Sequence, residues 1–207
     1  MHKRGDAFAR RNTPDEDANR LREVLLSDAR DSQLTPGRPR LLMLAGLPGA
    51  GKSFFAREVT SLHPFLTLES DRLRKRLVPE PRYTPDEHRR VFRACHRLLG
   101  ELLGQGYPLI FDATNLTERT RRPVYSIARR RNAPLVIAVV SAPTEIVRQR
   151  LRDREEGLDP DTWSDAGWDI HSRMAPAWEP VTRPHISVDT SGDITGALRQ
   201  VLEWAGT

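Results

Sequence analysis

Apolar residues in this chain fall into two rhythms. Short unbroken runs at 41–45 (LLMLA), 65–68 (FLTL), 108–111 (PLIF), 135–140 (LVIAVV) and 185–188 (HISV) have the length and composition of strands. Between them, spacings of three and four residues predict helices at about 52–61, 71–78, 85–104, 117–131, 143–156 and 193–204. The run at 135–140 is apolar without alternation, which is the signature of a strand covered on both faces. Strands alternating with helices predict an α/β fold, a parallel sheet wrapped on both sides, with its ligand at the carboxyl ends of the strands. One further helix precedes this pattern. Thr13-Pro14-Asp15-Glu16 reads as a capping box with proline at the first helical position, and Leu21, Val24, Leu25 and Ala29 share one side of the helix it opens. DSQLTPGRPR then reads as a linker, so residues 1–39 are expected to be an extension and 40–207 the main domain.

The strand ends carry the polar residues. After the first comes Gly46-Leu47-Pro48-Gly49-Ala50-Gly51-Lys52-Ser53, spaced G-x-x-x-x-G-K-S between a strand and a helix. Glycine permits the backbone angles and close approach that a chain of N–H groups needs to wrap an anion. These residues, with Phe54, are expected to surround the phosphates of a nucleoside triphosphate such as ATP. Lys52 would bridge its β- and γ-phosphates, and Ser53 would ligate Mg²⁺. Glu69-Ser70-Asp71-Arg72 follows the second run, Asp112-Ala113-Thr114-Asn115 the third, and Ser141 the fourth.

Composition narrows the class. The 207 residues suit one well-buried α/β core. No apolar run reaches bilayer length, and MHKRGDAFARRNTPDED lacks a secretory apolar stretch. One cysteine, Cys95, lies at helical spacing with Val91, Leu98 and Leu102 and reads as a buried thiol. Together these features predict a cytoplasmic protein without disulfides. The six histidines form no H-x-x-x-H pair, so no structural metal is expected. The net charge of +5 conceals an asymmetry: residues 1–154 hold 30 Lys/Arg against 18 Asp/Glu, and residues 155–207 hold 3 against 10. A basic body facing an anionic partner, or simply solvated arginine-rich helices, would look like this.

Phosphoryl transfer needs a metal, neutralised charge and a positioned acceptor hydroxyl. Asp112 ends an apolar run where a carboxylate close to the metal or its waters would stand. Asp71 either caps the helix it opens or takes the proton of an attacking alcohol. Arg74 lies one turn on, and a base beside an arginine suggests an acceptor with both a hydroxyl and a phosphate. In PTEIVRQRLRDREEG, Arg150 and Arg154 share one helix face and Arg148 and Arg152 another; spacing does not choose which pair clamps the transferring group. Trp163 and Trp168 either stack on a base or anchor their segment.

The motifs GLPGAGKS, ESDRLRKRL, FDATNLTERTRR and RQRLRDREEG resemble the P-loop kinase group that includes phage and bacterial 5′-hydroxyl polynucleotide kinases. The resemblance spans roughly residues 40–190. It implies the P-loop NTPase fold with strand order 2-3-1-4-5 and a helical lid at about 143–175. It also implies that Asp71 is the general base, that Arg74 holds an acceptor phosphate, that Asp112 and Asn115 belong to the acceptor side, and that Arg150 and Arg154 are the lid pair. The activity then expected is ATP- and Mg²⁺-dependent phosphorylation of the 5′-hydroxyl of DNA or RNA ends. A kinase of small metabolites or antibiotics keeps the same chemistry with another acceptor, and a nucleotide-operated switch keeps only the P-loop.

Overall fold

The strand rhythm becomes a single five-stranded parallel sheet in the computed structural model, which describes residues 13–31, 33–158 and 163–206. Its strands are β1 (Arg40–Ala45), β2 (Leu66–Glu69), β3 (Pro108–Asp112), β4 (Leu135–Ser141) and β5 (Ile186–Asp189), in the order β2-β3-β1-β4-β5. The helices are α1 (Pro14–Asp31), α2 (Lys52–Leu62), α3 (Ser70–Leu77), α4 (Pro85–Gly104), α5 (Glu118–Arg130), α6 (Thr144–Glu155), α7 (Trp168–Met174) and α8 (Thr195–Gly206). This is the α/β P-loop fold and strand order that the motifs imply.

The two faces of β1 explain its unbroken apolar run. Successive side chains point to opposite faces, so Leu41, Met43 and Ala45 join one buried cluster while Leu42 and Leu44 join the other. The first cluster is closed by α1, α3, α4 and α5, through residues such as Leu25, Leu73, Leu98 and Val124. The second is closed by α2 and α8, through Phe55, Val59 and Val201. Cys95 is wholly buried in the first cluster, and burial pushes its thiol up to about 12.

The helix α1 packs into this core. Leu21 and Leu25 are fully buried, and α1 lies against α3, α4 and β2. Its buried Asp17 accepts two hydrogen bonds from Arg90 of α4, at 2.6 and 2.7 Å, and Arg72 of α3 donates to Asp28 at 2.6 and 3.0 Å. The apolar side read at Leu21, Leu25 and Ala29 is therefore a core face, buried by elements that lie beyond the expected linker. No helix among the described residues is long and apolar enough to cross a membrane.

Candidate active site

A cavity of about 560 Å³ opens at the carboxyl ends of the strands. The turn from β1 into α2 forms its floor. Gly49 and Gly51 have φ of 81° and 89°, and a Cβ on Gly51 would lie 2.6 Å from Thr190 Oγ1. Only glycine combines that backbone with that proximity. Gly51 also caps α2 without any side-chain hydrogen bond, so the first-turn N–H groups of α2 have no side chain competing for them. Pro48, Gly49, Gly51, Lys52, Ser53 and Phe54 line the cavity. Gly46, Leu47 and Ala50 act through their backbones: Gly46 N–H donates to Thr114 O, Leu47 O accepts from Lys52 Nζ at 3.2 Å, and Ala50 O accepts from the Thr190 hydroxyl at 2.8 Å.

Charge is concentrated against this floor. The Ser53 hydroxyl donates to Asp112 Oδ2 at 2.7 Å, and Asp112 is 3% exposed. Burial holds the Asp112 carboxyl above its ordinary value, opposed by the nearby Lys52 ammonium and the Ser53 hydrogen bond. Burial pulls the Lys52 amine below its ordinary value, while Asp112 and Asp71 oppose the fall. Glu69 pairs in register with Asp112 across the β2–β3 ladder. Burial, then Asp112 and Asp71, push Glu69 up to about 7. A hydroxyl beside a carboxylate is the hard-oxygen set that suits Mg²⁺, which takes few protein ligands and completes its shell with water and phosphate. Among the described residues no three or more His, Cys, Asp or Glu gather to hold a metal by themselves.

Asp71 and Arg74 both reach the cavity from α3. Arg74 is 3% exposed and already engaged. Its Nη1 donates to Glu87 Oε1 at 2.5 Å, and its guanidinium lies 4.8 Å from the centre of the Tyr83 ring. Glu87 Oε2 in turn accepts the backbone N–H groups of Arg82 and Tyr83, at 2.8 and 3.1 Å. Arg74 is thus held in a buried ion pair with Glu87. Arg74 Nη2 lies 3.5 Å from His88 Nδ1, and Arg74 Nε is buried without a partner. Asn115 behaves similarly. Its Nδ2 ties the end of β1 by donating to Leu44 O at 2.6 Å, while its Oδ1 is buried and unpartnered. Buried polar atoms normally have partners, and these two unpartnered atoms belong to residues that line one cavity. His88 and Phe92, with rings stacked 4.3 Å apart, and Leu116, Ile170 and Met174 supply an apolar wall.

The lid arginines separate by geometry. Arg150 and Arg154 line the cavity, and Arg148 and Arg152 do not. Arg150 donates to Thr190 Oγ1 at 2.7 Å and to Thr190 O at 2.8 Å, which joins α6 to the end of β5. The Arg148 guanidinium sits 4.4 Å from the Trp168 ring, and Trp168 stacks on His171 at 5.0 Å. Trp168 is therefore an anchor. His171 Nδ1 lies 2.8 Å from Pro48 O, so α7 reaches the floor loop directly. Trp163 is 38% exposed with Arg72 5.9 Å from its ring centre.

Of Thr190, Glu87, Tyr83 and His171, only Thr190 stands out in the sequence. Thr190 had a signal, because it follows the fifth strand as the other polar residues follow theirs. Glu87 looks like an ordinary first-turn acid behind the Thr84 cap, and nothing near His171 announces its contact with Pro48.

Residues 41–174 match the AAA domain family. Among solved structures, the chain is similar to the Mycobacterium tuberculosis APS kinase CysC in complex with AMPPNP and APS, with 16% identity over 83% of this chain and 100% of that one and a TM-score of 0.61. It is also similar to Chaetomium thermophilum Kti12 in complex with ADP-AlF3 (18% identity, 80% and 96% covered, TM-score 0.61). A gluconokinase from Sinorhizobium meliloti 1021 shares the arrangement too (17% identity, 81% and 92% covered, TM-score 0.55). At these identities the likeness is one of fold.

Proposed function

This chain belongs to the AAA domain family, and from that premise we propose that it is a P-loop kinase transferring the γ-phosphate of ATP to the hydroxyl of a small acceptor. The observation that carries this reading is the meeting of Lys52, the Ser53–Asp112 pair and Asp71 in one cavity that also has apolar lining from Phe92, Leu116, Ile170 and Met174. Asp71 takes the proton of the acceptor hydroxyl, whose oxygen then attacks the γ-phosphorus as ADP departs. Lys52 compensates charge on the β- and γ-phosphates, and Arg150 and Arg154 approach the transferring group from α6. Ser53, and Asp112 through water, would hold Mg²⁺, which when bound neutralises phosphate charge. Arg74 Nε and Asn115 Oδ1 offer the acceptor one donor and one acceptor of hydrogen bonds. Because Glu87 already compensates Arg74, the acceptor side favours an uncharged polar molecule over a densely charged one.

A second reading keeps the chemistry and takes a 5′-hydroxyl end of DNA or RNA as acceptor. Its support is the Tyr83 ring, 44% exposed and packed on Arg74, which offers a terminal base a stacking surface. Radiolabelled-ATP kinetics with sugars and other metabolites, nucleosides, nucleoside 3′-phosphates and 5′-hydroxyl oligonucleotides separate the two. A preference for the 3′-phosphate that disappears in Arg74→Ala promotes the nucleic-acid reading; best turnover with an uncharged metabolite supports the first. In either case Asp71→Asn is expected to retain ATP binding and lose about a hundredfold in kcat. Loss of ATP affinity instead would remove Asp71 from the role of base.

A further inference from the structure

We infer that the groove between α4 and α5 is a docking surface for a strand of nucleic acid, separate from the catalytic cavity. Five arginines line it, Arg97, Arg119, Arg122, Arg130 and Arg131, against one acid, Glu101. Arg97 is paired with Asp15 and Glu101, and Arg122 with Glu118 at 3.8 Å. Arg119, Arg130 and Arg131 have no acidic partner among the described residues. All three are exposed, so together they present a positive patch that attracts an anionic partner.

Spacing along α5 gives the surface a direction. Arg119, Arg122, Ser126 and Arg130 succeed one another at three and four residues and all line the groove, so they form one stripe. The helix has 13 residues, about 20 Å of axis. It begins at the rim of the catalytic cavity, which Thr117 and Thr120 line. A linear polyanion lying along the stripe would therefore start beside the active site and run away from it.

The groove also has a built floor. Gly100 and Gly104 of α4 leave the space in which the Arg131 guanidinium lies; a Cβ on Gly104 would stand 3.3 Å from its Cζ and Nη1. His96 Nε2 is buried in the groove wall with no hydrogen-bond partner. Burial, then His88, bring the His96 imidazole down to about 4, so it offers a neutral hydrogen bond rather than another charge. Guanidinium groups over a neutral polar floor suit phosphates joined in a chain, which arginine engages with two parallel donors. The groove shares no lining residue with the catalytic cavity, so the inference does not rest on which acceptor the cavity takes.

The test is binding of a fluorescent single-stranded oligonucleotide to the full-length protein over a range of salt concentrations. Arg119→Glu/Arg130→Glu is expected to lower affinity at least about tenfold and to reduce the slope of log K against log salt by about 1–2. Arg119→Gln/Arg130→Gln, which removes the charges without reversing them, should show a smaller loss in the same direction. Arg183→Glu/Arg199→Glu makes the same charge change elsewhere on the exposed surface and should retain most of the affinity. ATP turnover with the best small acceptor should not change in any of these variants. No oligonucleotide binding by the wild type would overturn the inference, as would an equal loss in the two Glu pairs. Poly-glutamate bound as tightly as the oligonucleotide, and lost equally in the groove variants, would make the groove a surface for acidic proteins and overturn it as well.

Discussion

Glu69 offers a quantitative test of the electrostatics of the cavity. Its carboxyl is pushed from an ordinary 4.5 to about 7 by burial and by the neighbouring Asp112 and Asp71. The folded protein therefore holds this proton more tightly than the unfolded chain does. The stability this confers is fully present below pH 4.5 and disappears as pH rises through about 7. At about 1.4 kcal/mol per pH unit, the full displacement corresponds to roughly 3 kcal/mol. Glu69 keeps some contact with water in the cleft, so about 2 kcal/mol is the expected effect after screening. Glu69→Gln removes the titration while keeping shape and polarity. Denaturant unfolding of nucleotide- and metal-free protein, from about pH 4 to about pH 8, should give nearly equal stabilities at the acid end and a gain of about 2 kcal/mol for the variant at the alkaline end. Parallel stability profiles for the two proteins would refute the reasoning, because a carboxylate that ionises without cost cannot produce a divergence.

The same geometry sets other expected outcomes. Lys52→Ala should abolish phosphoryl transfer with every acceptor, checked by label release from γ-labelled ATP; retained turnover would remove the phosphate-binding reading of the loop. Gly51→Ala should eliminate nucleotide binding in calorimetry, since its φ of 89° and the nearby Thr190 hydroxyl both reject a Cβ. Leu25→Ala should cost about 2–5 kcal/mol in denaturant unfolding, the range for a fully buried leucine, because α1 is part of the main core. A cost under about 0.5 kcal/mol, typical of a surface substitution, would instead restore α1 to an appendage.

What the sequence determined by itself is local and periodic. The five apolar runs became the five strands with ends within about a residue of the reading, because strand length and burial on both faces leave a direct mark in composition. The floor loop was equally legible, since its glycines answer a backbone need that acts within a few residues. Tertiary structure alone decided matters that depend on residues far apart in the chain. The apolar side of α1 was visible, but not that α3 and α4 would cover it. Asp71 and Arg74 were legible as neighbours on a helix; that Glu87 compensates Arg74 depends on how α4 packs against α3. Spacing presented the arginines of α6 as two equivalent faces, and only the packing of α6 beside the floor loop turned Arg150 and Arg154 toward the cavity. His171 meets Pro48 across 123 residues, and Thr190 meets Ala50 across 140. Periodicity records which face of an element is buried, but the partner of a buried or half-buried charge is chosen by the packing of elements distant in sequence, and no local pattern encodes it.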